Sequence, residues 1–179
     1  DVVVVVKLEE IKTTVESLDI LLISTAGEKA PKSYTTLEAI AEDWTTDSKM
    51  YKMASAMMGQ GKAKPTPTSL IRKVKIVGFA ESESASALVT TIKTFQQTDN
   101  DWYLFLTDQT NDEYITALAK FAEDSEPSEA ELAAGMEDHR KLYFAQTNNK
   151  ELALANRRSV VIYTDNLEEY ADAAWIGAV

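Results

Sequence analysis

A few short stretches carry residue types that could do chemistry. Gly59-Gln60-Gly61-Lys62 invites comparison with a phosphate-binding loop, in which glycines let backbone amides wrap the phosphates and a Ser or Thr holds magnesium. Position 63 is Ala, position 56 is Ala where the first glycine belongs, and the residues before the loop have helical spacing instead of forming a strand. The stretch reads as a helix stop and turn. His139, the single histidine, lies in Asp138-His139-Arg140; with no cysteine in the chain and no serine motif nearby, nucleophilic catalysis has little to stand on, and His139 reads as a surface residue. Asp99-Asn100-Asp101 offers the spaced oxygens of a hard-cation loop but runs into Trp102 with neither a turn glycine nor a closing glutamate, so it reads as the turn before a strand. The pairs Glu81 and Glu83, and Glu168 and Glu169, fall at expected helix starts, where carboxylates meet the positive end of the helix dipole. These residues assign no catalytic, cofactor-binding or metal site, and no cofactor is expected. Met50, Met53, Met57 and Met58 cluster on one helix, where two readings stay open: an adaptable partner surface, or core filling.

Composition narrows the class. The chain has 179 residues, 45% hydrophobic and 26% charged, enough for a sizeable core and too apolar for a disordered chain. A net charge of -11 argues against binding a phosphate backbone, which requires Lys and Arg to displace counterions. The longest apolar runs, Val2 to Val6 and Asp19 to Ile23, fall far short of the roughly 20 residues that cross a bilayer. No basic leader with a small-residue cleavage site opens the sequence. Membrane insertion and direct nucleic-acid contact are therefore not expected.

The elements that must position these residues alternate. Val2 to Val6 is β-branched throughout and suits a strand, followed by a polar stretch from Glu9 to Glu16. Strands are expected at Asp19 to Ser24, Ile71 to Phe79, Trp102 to Leu106 and Ser159 to Tyr163, with a further apolar run at Leu142 to Ala145. The first should be stopped by Ala26-Gly27 and Pro31. Helices are expected over Ser33 to Trp44, with a Thr35–Glu38 capping box, and over Asp47 to Met58, Ser84 to Gln97, Asp112 to Ala122 and Leu167 to Ile176, with a short one at Lys150 to Ala155. On the third, Ala87, Leu88, Thr91, Ile92 and Phe95 should share a face. Glu123 to Lys141 reads as an acidic surface excursion. This order predicts an α/β fold, alternating strands and helices with a mostly parallel sheet covered on both faces, plus an N-terminal strand-like arm. We expect residues 1–18 to be arm and linker and residues 19–179 to be a core domain; the apolar close Ala173 to Val179 suggests that this domain continues.

Several of these pieces form an ordered series: Tyr34 to Trp44, Tyr51 to Gln60, Val74 to Gly78, Asp101-Trp102-Tyr103, Leu118 to Glu123, Leu142 to Thr147, Arg158 to Tyr163 and Glu169 to Gly177. The series resembles the core of contractile-tail sheath proteins of bacteriophages and prophages, over roughly residues 19 to 179. The resemblance implies a non-enzymatic virion tail subunit, assembled in the bacterial host cytoplasm, that polymerises helically with copies of itself around a tail tube and contracts to drive the tube through the envelope. It implies contacts with the tail tube protein and with baseplate and tail terminator proteins. On that reading Val2, Val3, Val4, Val5 and Val6 are a strand donated to a neighbouring subunit. The same run could instead be the first strand of its own domain. Two rival functions remain: an α/β enzyme or ligand-binding domain with its site at the carboxyl ends of the strands, and a small acidic adaptor that does not polymerise.

Overall fold

Ile20-Leu21-Leu22-Ile23-Ser24 has apolar side chains at successive positions, so it can be satisfied only where both faces of a sheet are covered. It forms β1 (Ile20–Ser24), buried along its whole length. The computed structural model describes residues 20–59, 71, 73–81, 84–125, 140–152, 154 and 156–178. The valine run, Gln60-Gly61-Lys62, His139 and Glu83 lie outside the described residues. After β1 come β2 (Lys29–Tyr34), α1 (Leu37–Asp43), α2 (Lys49–Gly59), β3 (Val74–Gly78), α3 (Ala85–Gln96), β4 (Leu104–Thr107), α4 (Asp112–Glu123), β5 (Leu142–Thr147), β6 (Ser159–Tyr163), a 3-10 turn (Leu167–Glu169) and α5 (Ala171–Ala178).

The strands form one sheet in the order β2-β3-β1-β4-β5-β6, parallel throughout except for β2, which runs antiparallel to β3. Period-two alternation divides each central strand between two cores. Ile20, Leu22, Val74, Ile76, Leu104, Leu106 and Phe144 face the core under α1, α2 and α5. Leu21, Ile23, Val77, Phe105, Tyr143 and Ala145 face the core under α3 and α4. From β1 the chain passes to β3 on one side, then crosses to β4 on the other. The carboxyl ends of β1 and β4 therefore flank the switch point, where open α/β sheets place their crevice.

Five local expectations need correction. Pro31 does not end the strand region: Lys29–Tyr34 is a strand through Pro31, because an edge strand with a register shift between Lys29 and Lys32 can do without that N–H. The first helix is capped by Thr36, whose hydroxyl accepts from Ala39 N at 3.2 Å, one residue later than the Thr35 box. On α3 the buried face is Ala85, Leu88 and Ile92; Ala87 and Thr91 are exposed. The last expected helix is split, since Tyr170 adopts a left-handed conformation (φ 49°, ψ 51°) between the 3-10 turn and α5. Lys150 and Glu151 form a turn, not a helix.

Glycine is required at one close approach. A Cβ on Gly78 would stand 2.3 Å from the Gly27 carbonyl oxygen and 2.9 Å from Lys29 N, where the β1–β2 turn folds back on β3. Gly27 itself has φ 151°, open to glycine and strained for other residues.

Candidate functional site: closed strand ends and an open edge

The switch-point crevice is built around Asp108, the residue after β4. Its carboxylate accepts from Ser24 Oγ (3.2 Å), Thr25 N (3.0 Å) and Thr25 Oγ1 (2.8 Å) at the end of β1. Gln109 Nε2 donates to Thr25 Oγ1 at 2.6 Å, and Lys49 Nζ of α2 donates to the Asp108 carbonyl at 3.1 Å. These groups line a cleft of about 450 Å³, with Trp44, Ser48 and Glu81 on its other walls. The hydroxyls and carboxylate that an enzyme would aim at a substrate are thus turned on one another, tying the β1–β2 turn to β4. Ser48 is similarly spent: its hydroxyl accepts from Tyr51 N at the start of α2.

The neighbouring strand ends are tied in the same way. Asn149 Nδ2, just past β5, and Thr147 Oγ1, at its last residue, donate to the two carboxylate oxygens of Asp112 at the start of α4 (2.5 and 3.3 Å). Gln146 clamps the entry to α5 from both sides: Nε2 donates to the Leu167 carbonyl at 2.6 Å, and Oε1 accepts from Ala171 N at 2.8 Å. Nothing in the local sequence singles out Gln146 or Asp108, because their partners lie 21 to 84 residues away. Lys141 was likewise invisible. It is buried, with Nζ donating to Asn100 Oδ1 (2.7 Å) and to the Trp102 carbonyl, and lying 3.9 Å from the centre of the Trp102 ring.

Of the stretches read for chemistry, Asp99-Asn100-Asp101 is the expected turn. Asp101 N donates to Asp99 Oδ1, and the Asp99 carboxylate holds the half-buried ammonium of Lys75 at 2.7 and 2.9 Å. Met50, Met53 and Met57 are buried in the core, which decides their role; Met58 packs at its margin. Glu168 and Glu169 open the 3-10 turn, and Glu168 pairs with Lys52 at 3.8 Å. Among the described residues there is no group of three or more His, Cys, Asp or Glu placed to hold a metal ion. Among them, too, no helix is long and apolar enough to cross a membrane.

The two sheet edges differ sharply. β2 is guarded: it carries Pro31 and two lysines, Lys29 over the Trp44 ring and Lys32 on Asp43 at 2.5 Å. The Lys32 ammonium, followed by the Tyr34 hydroxyl at 2.8 Å, holds the Asp43 carboxyl below the usual carboxylate range. β6 has neither proline nor lysine within the strand, and Lys150 from the preceding turn lies 4.9 Å from the centre of the Tyr163 ring. Ser159-Val160-Val161-Ile162-Tyr163 has the composition of an interior parallel strand, yet among the described residues no strand pairs with its outer side. Val160 packs against one core and Val161 against the other, and both remain half-buried. Exposed aromatics lie nearby: Tyr163 is 39% exposed, and Trp175 of α5 is 47% exposed with its ring 5.5 Å from that of Phe144.

No family model matches the chain. No curated protein matches it either. A cryo-EM structure of the helical sheath of the anti-feeding prophage in its contracted state is similar at a TM-score of 0.49 and 9% identity, over 82% of this chain. The match covers 39% of that sheath chain, so this chain spans about two fifths of its length.

The residues of the ordered series also meet in space. Glu123, closing the Leu118–Glu123 piece, accepts from Arg157 N (2.9 Å) and Arg158 N (3.1 Å) at the start of β6, and these bonds, the Arg157 N–H first, hold its carboxyl below the usual range. Gln146 of the β5 piece holds Ala171 of the α5 piece, and Tyr34 holds Asp43 within the first.

Proposed function

We propose that this chain is a structural subunit of a contractile tail sheath, polymerising helically with copies of itself around a tail tube whose protein it touches, with baseplate and terminator proteins at the ends. The observation that carries the reading is the β6 edge, free of proline and lysine within the strand and lying beside Tyr163 and Trp175, set against a strand-end crevice whose polar groups are already paired with one another. An edge of this kind is a template for another chain's strand. The ordered series over residues 19–179 supplies the kind of assembly.

Val2 to Val6 are the segment that ties neighbours together on this reading. Arg157-Arg158 precede β6 and Asp165 follows it, whereas Asp1 precedes the valines and Lys7 follows them; a parallel docking therefore sets opposite charges side by side. Electron microscopy of the purified full-length gene product tests the assembly and should show tubes or sheath-like polymers; a monodisperse monomer would overturn it. The absence of cysteine makes the contact testable directly. Mixing a Val4→Cys protein with a Val161→Cys protein should give disulfide-linked pairs of copies, and linkage confined to the doubly substituted chain would place the valines in their own sheet instead.

A further inference from the structure

Asp172 lies in the first turn of α5 with 2% of its surface exposed. One carboxylate oxygen accepts from Ala173 N at 2.8 Å, the adjacent residue's own amide. The carboxylate lines a cavity of about 90 Å³ at the carboxyl ends of β4 and β5, whose other walls include Thr107, Gln146 and Leu167.

No ion pair to that carboxylate is formed among the described residues, although the Lys49 ammonium lines the same cavity. From α2, Lys49 donates to the neutral Asp108 carbonyl (3.1 Å), Lys52 pairs with Glu168 (3.8 Å), and Tyr51 lies between them on the same helix. The 3-10 turn brings Glu168, of the same sign, which accepts from the Tyr170 hydroxyl at 3.2 Å. Asp108, also lining the cavity, is negative and held by Ser24 and Thr25. β5 contributes Tyr143, kept protonated by burial, and β6 contributes Tyr163, bonded to Asp165. Removing a carboxylate from water without a counter-charge favours its neutral form, and the Asp172 pKa is pushed up to about 6. The chain turns into α5 at the left-handed Tyr170, the one break between the 3-10 turn and the helix, and the Gln146 clamp spans that break.

We propose that α5 is a proton-coupled latch, seated against α2 and β5 while Asp172 is neutral and opening to solvent far more readily once Asp172 is ionised. The sign follows from which state holds the proton. The seated carboxyl binds it more tightly than the solvated one, so seating is favoured at low pH and weakens as pH rises from about 4 through about 6. A rise from 3.8 to about 6 caps the effect at about a 100-fold change in the opening equilibrium. This coupling is independent of whether the chain polymerises.

Hydrogen exchange of the full chain tests it, with protection of the α5 amides measured at pH 5.0 and 7.5 and corrected for intrinsic rates. Wild-type α5 should lose protection by about 10-fold at the higher pH, since roughly half of the change on a logarithmic scale already lies below pH 5, while the α3 amides on the opposite face hold theirs. Asp172→Asn should make α5 protection flat with pH. Wild-type α5 protection that is unchanged between the two pH values overturns the latch, as does an Asn variant that keeps the wild-type slope. Should the variant fail to fold, the carboxyl ¹³C titration of Asp172 in the wild type decides: a midpoint near 6 supports the latch, and one at or below 4 overturns it.

Discussion

Replacing Asp108 with Ala probes the knot that closes the strand ends. Three groups donate to its carboxylate, Ser24 Oγ at 3.2 Å, Thr25 N at 3.0 Å and Thr25 Oγ1 at 2.8 Å, and all three residues are buried. Hydrogen bonds to a charged acceptor contribute about 1.5–3 kcal/mol each, so a naive sum would be roughly 5–9 kcal/mol. That sum is too large for two reasons. The freed hydroxyls can turn toward other acceptors, and the adjoining cleft of about 450 Å³ is roomy enough for water to reach the vacated donors. The Thr25 N–H cannot reorient, and its loss alone costs about 1–3 kcal/mol. Asp108→Ala should therefore lose about 2–4 kcal/mol in urea unfolding at pH 7. Asp108→Asn, which keeps one acceptor oxygen but turns an amide toward a donor, should lose about 1–2 kcal/mol. An Ala variant within 0.5 kcal/mol of wild type would refute the claim that this carboxylate holds the β1–β2 turn to β4. An Asn variant as damaged as Ala would show that charge, not acceptor geometry, is what matters there.

Further expectations concern backbone room and a buried hydroxyl. Gly78→Ala should cost about 2–3 kcal/mol and selectively deprotect the amides of β2, because both near atoms, Gly27 O and Lys29 N, are backbone and the turn must lift away. Gly59→Ala is its control: a Cβ there meets nothing within 4 Å, and thermal melting should show no loss and a gain of up to about 1 kcal/mol. The Tyr143 hydroxyl is buried without a partner in hydrogen-bonding geometry; the Thr107 hydroxyl pulls its pKa down less than burial drives it up. Tyr143→Phe should leave stability unchanged or raise it by up to about 1 kcal/mol, and a loss above 1 kcal/mol in denaturant would mean that the hydroxyl is satisfied after all.

Features set by neighbours in sequence were legible. The run Ile20 to Ser24 reads as a doubly buried strand because its four successive apolar residues leave no polar face and are too few, ahead of Gly27, for a buried helix. Ile115, Leu118, Ala119 and Ala122 make one buried face of α4, because i, i+3, i+4 and i+7 positions coincide on any α-helix. The Asp99-Asn100-Asp101 turn likewise depends on contacts two residues apart. The alternation of these elements was enough to predict a mostly parallel α/β sheet.

What tertiary structure alone decided rests on long-range pairing. A strand through Pro31 is excluded by local propensity and permitted only because β3 takes it as an edge partner that does not need every N–H. The break at Tyr170 follows from the grip of Gln146 on both sides of it, not from any helix breaker in the sequence. Asp108 reads as an ordinary acidic residue after a strand until β1 and β4, 83 residues apart, are laid side by side. Asp172 reads as a favourable first-turn carboxylate until the helix that carries it is packed down and its water removed. The sequence by itself could say which elements form, because those energies are local. Which polar groups are spent on one another, which edge stays open and which carboxylate is stranded depend on sheet order, and sheet order is a property of the whole chain.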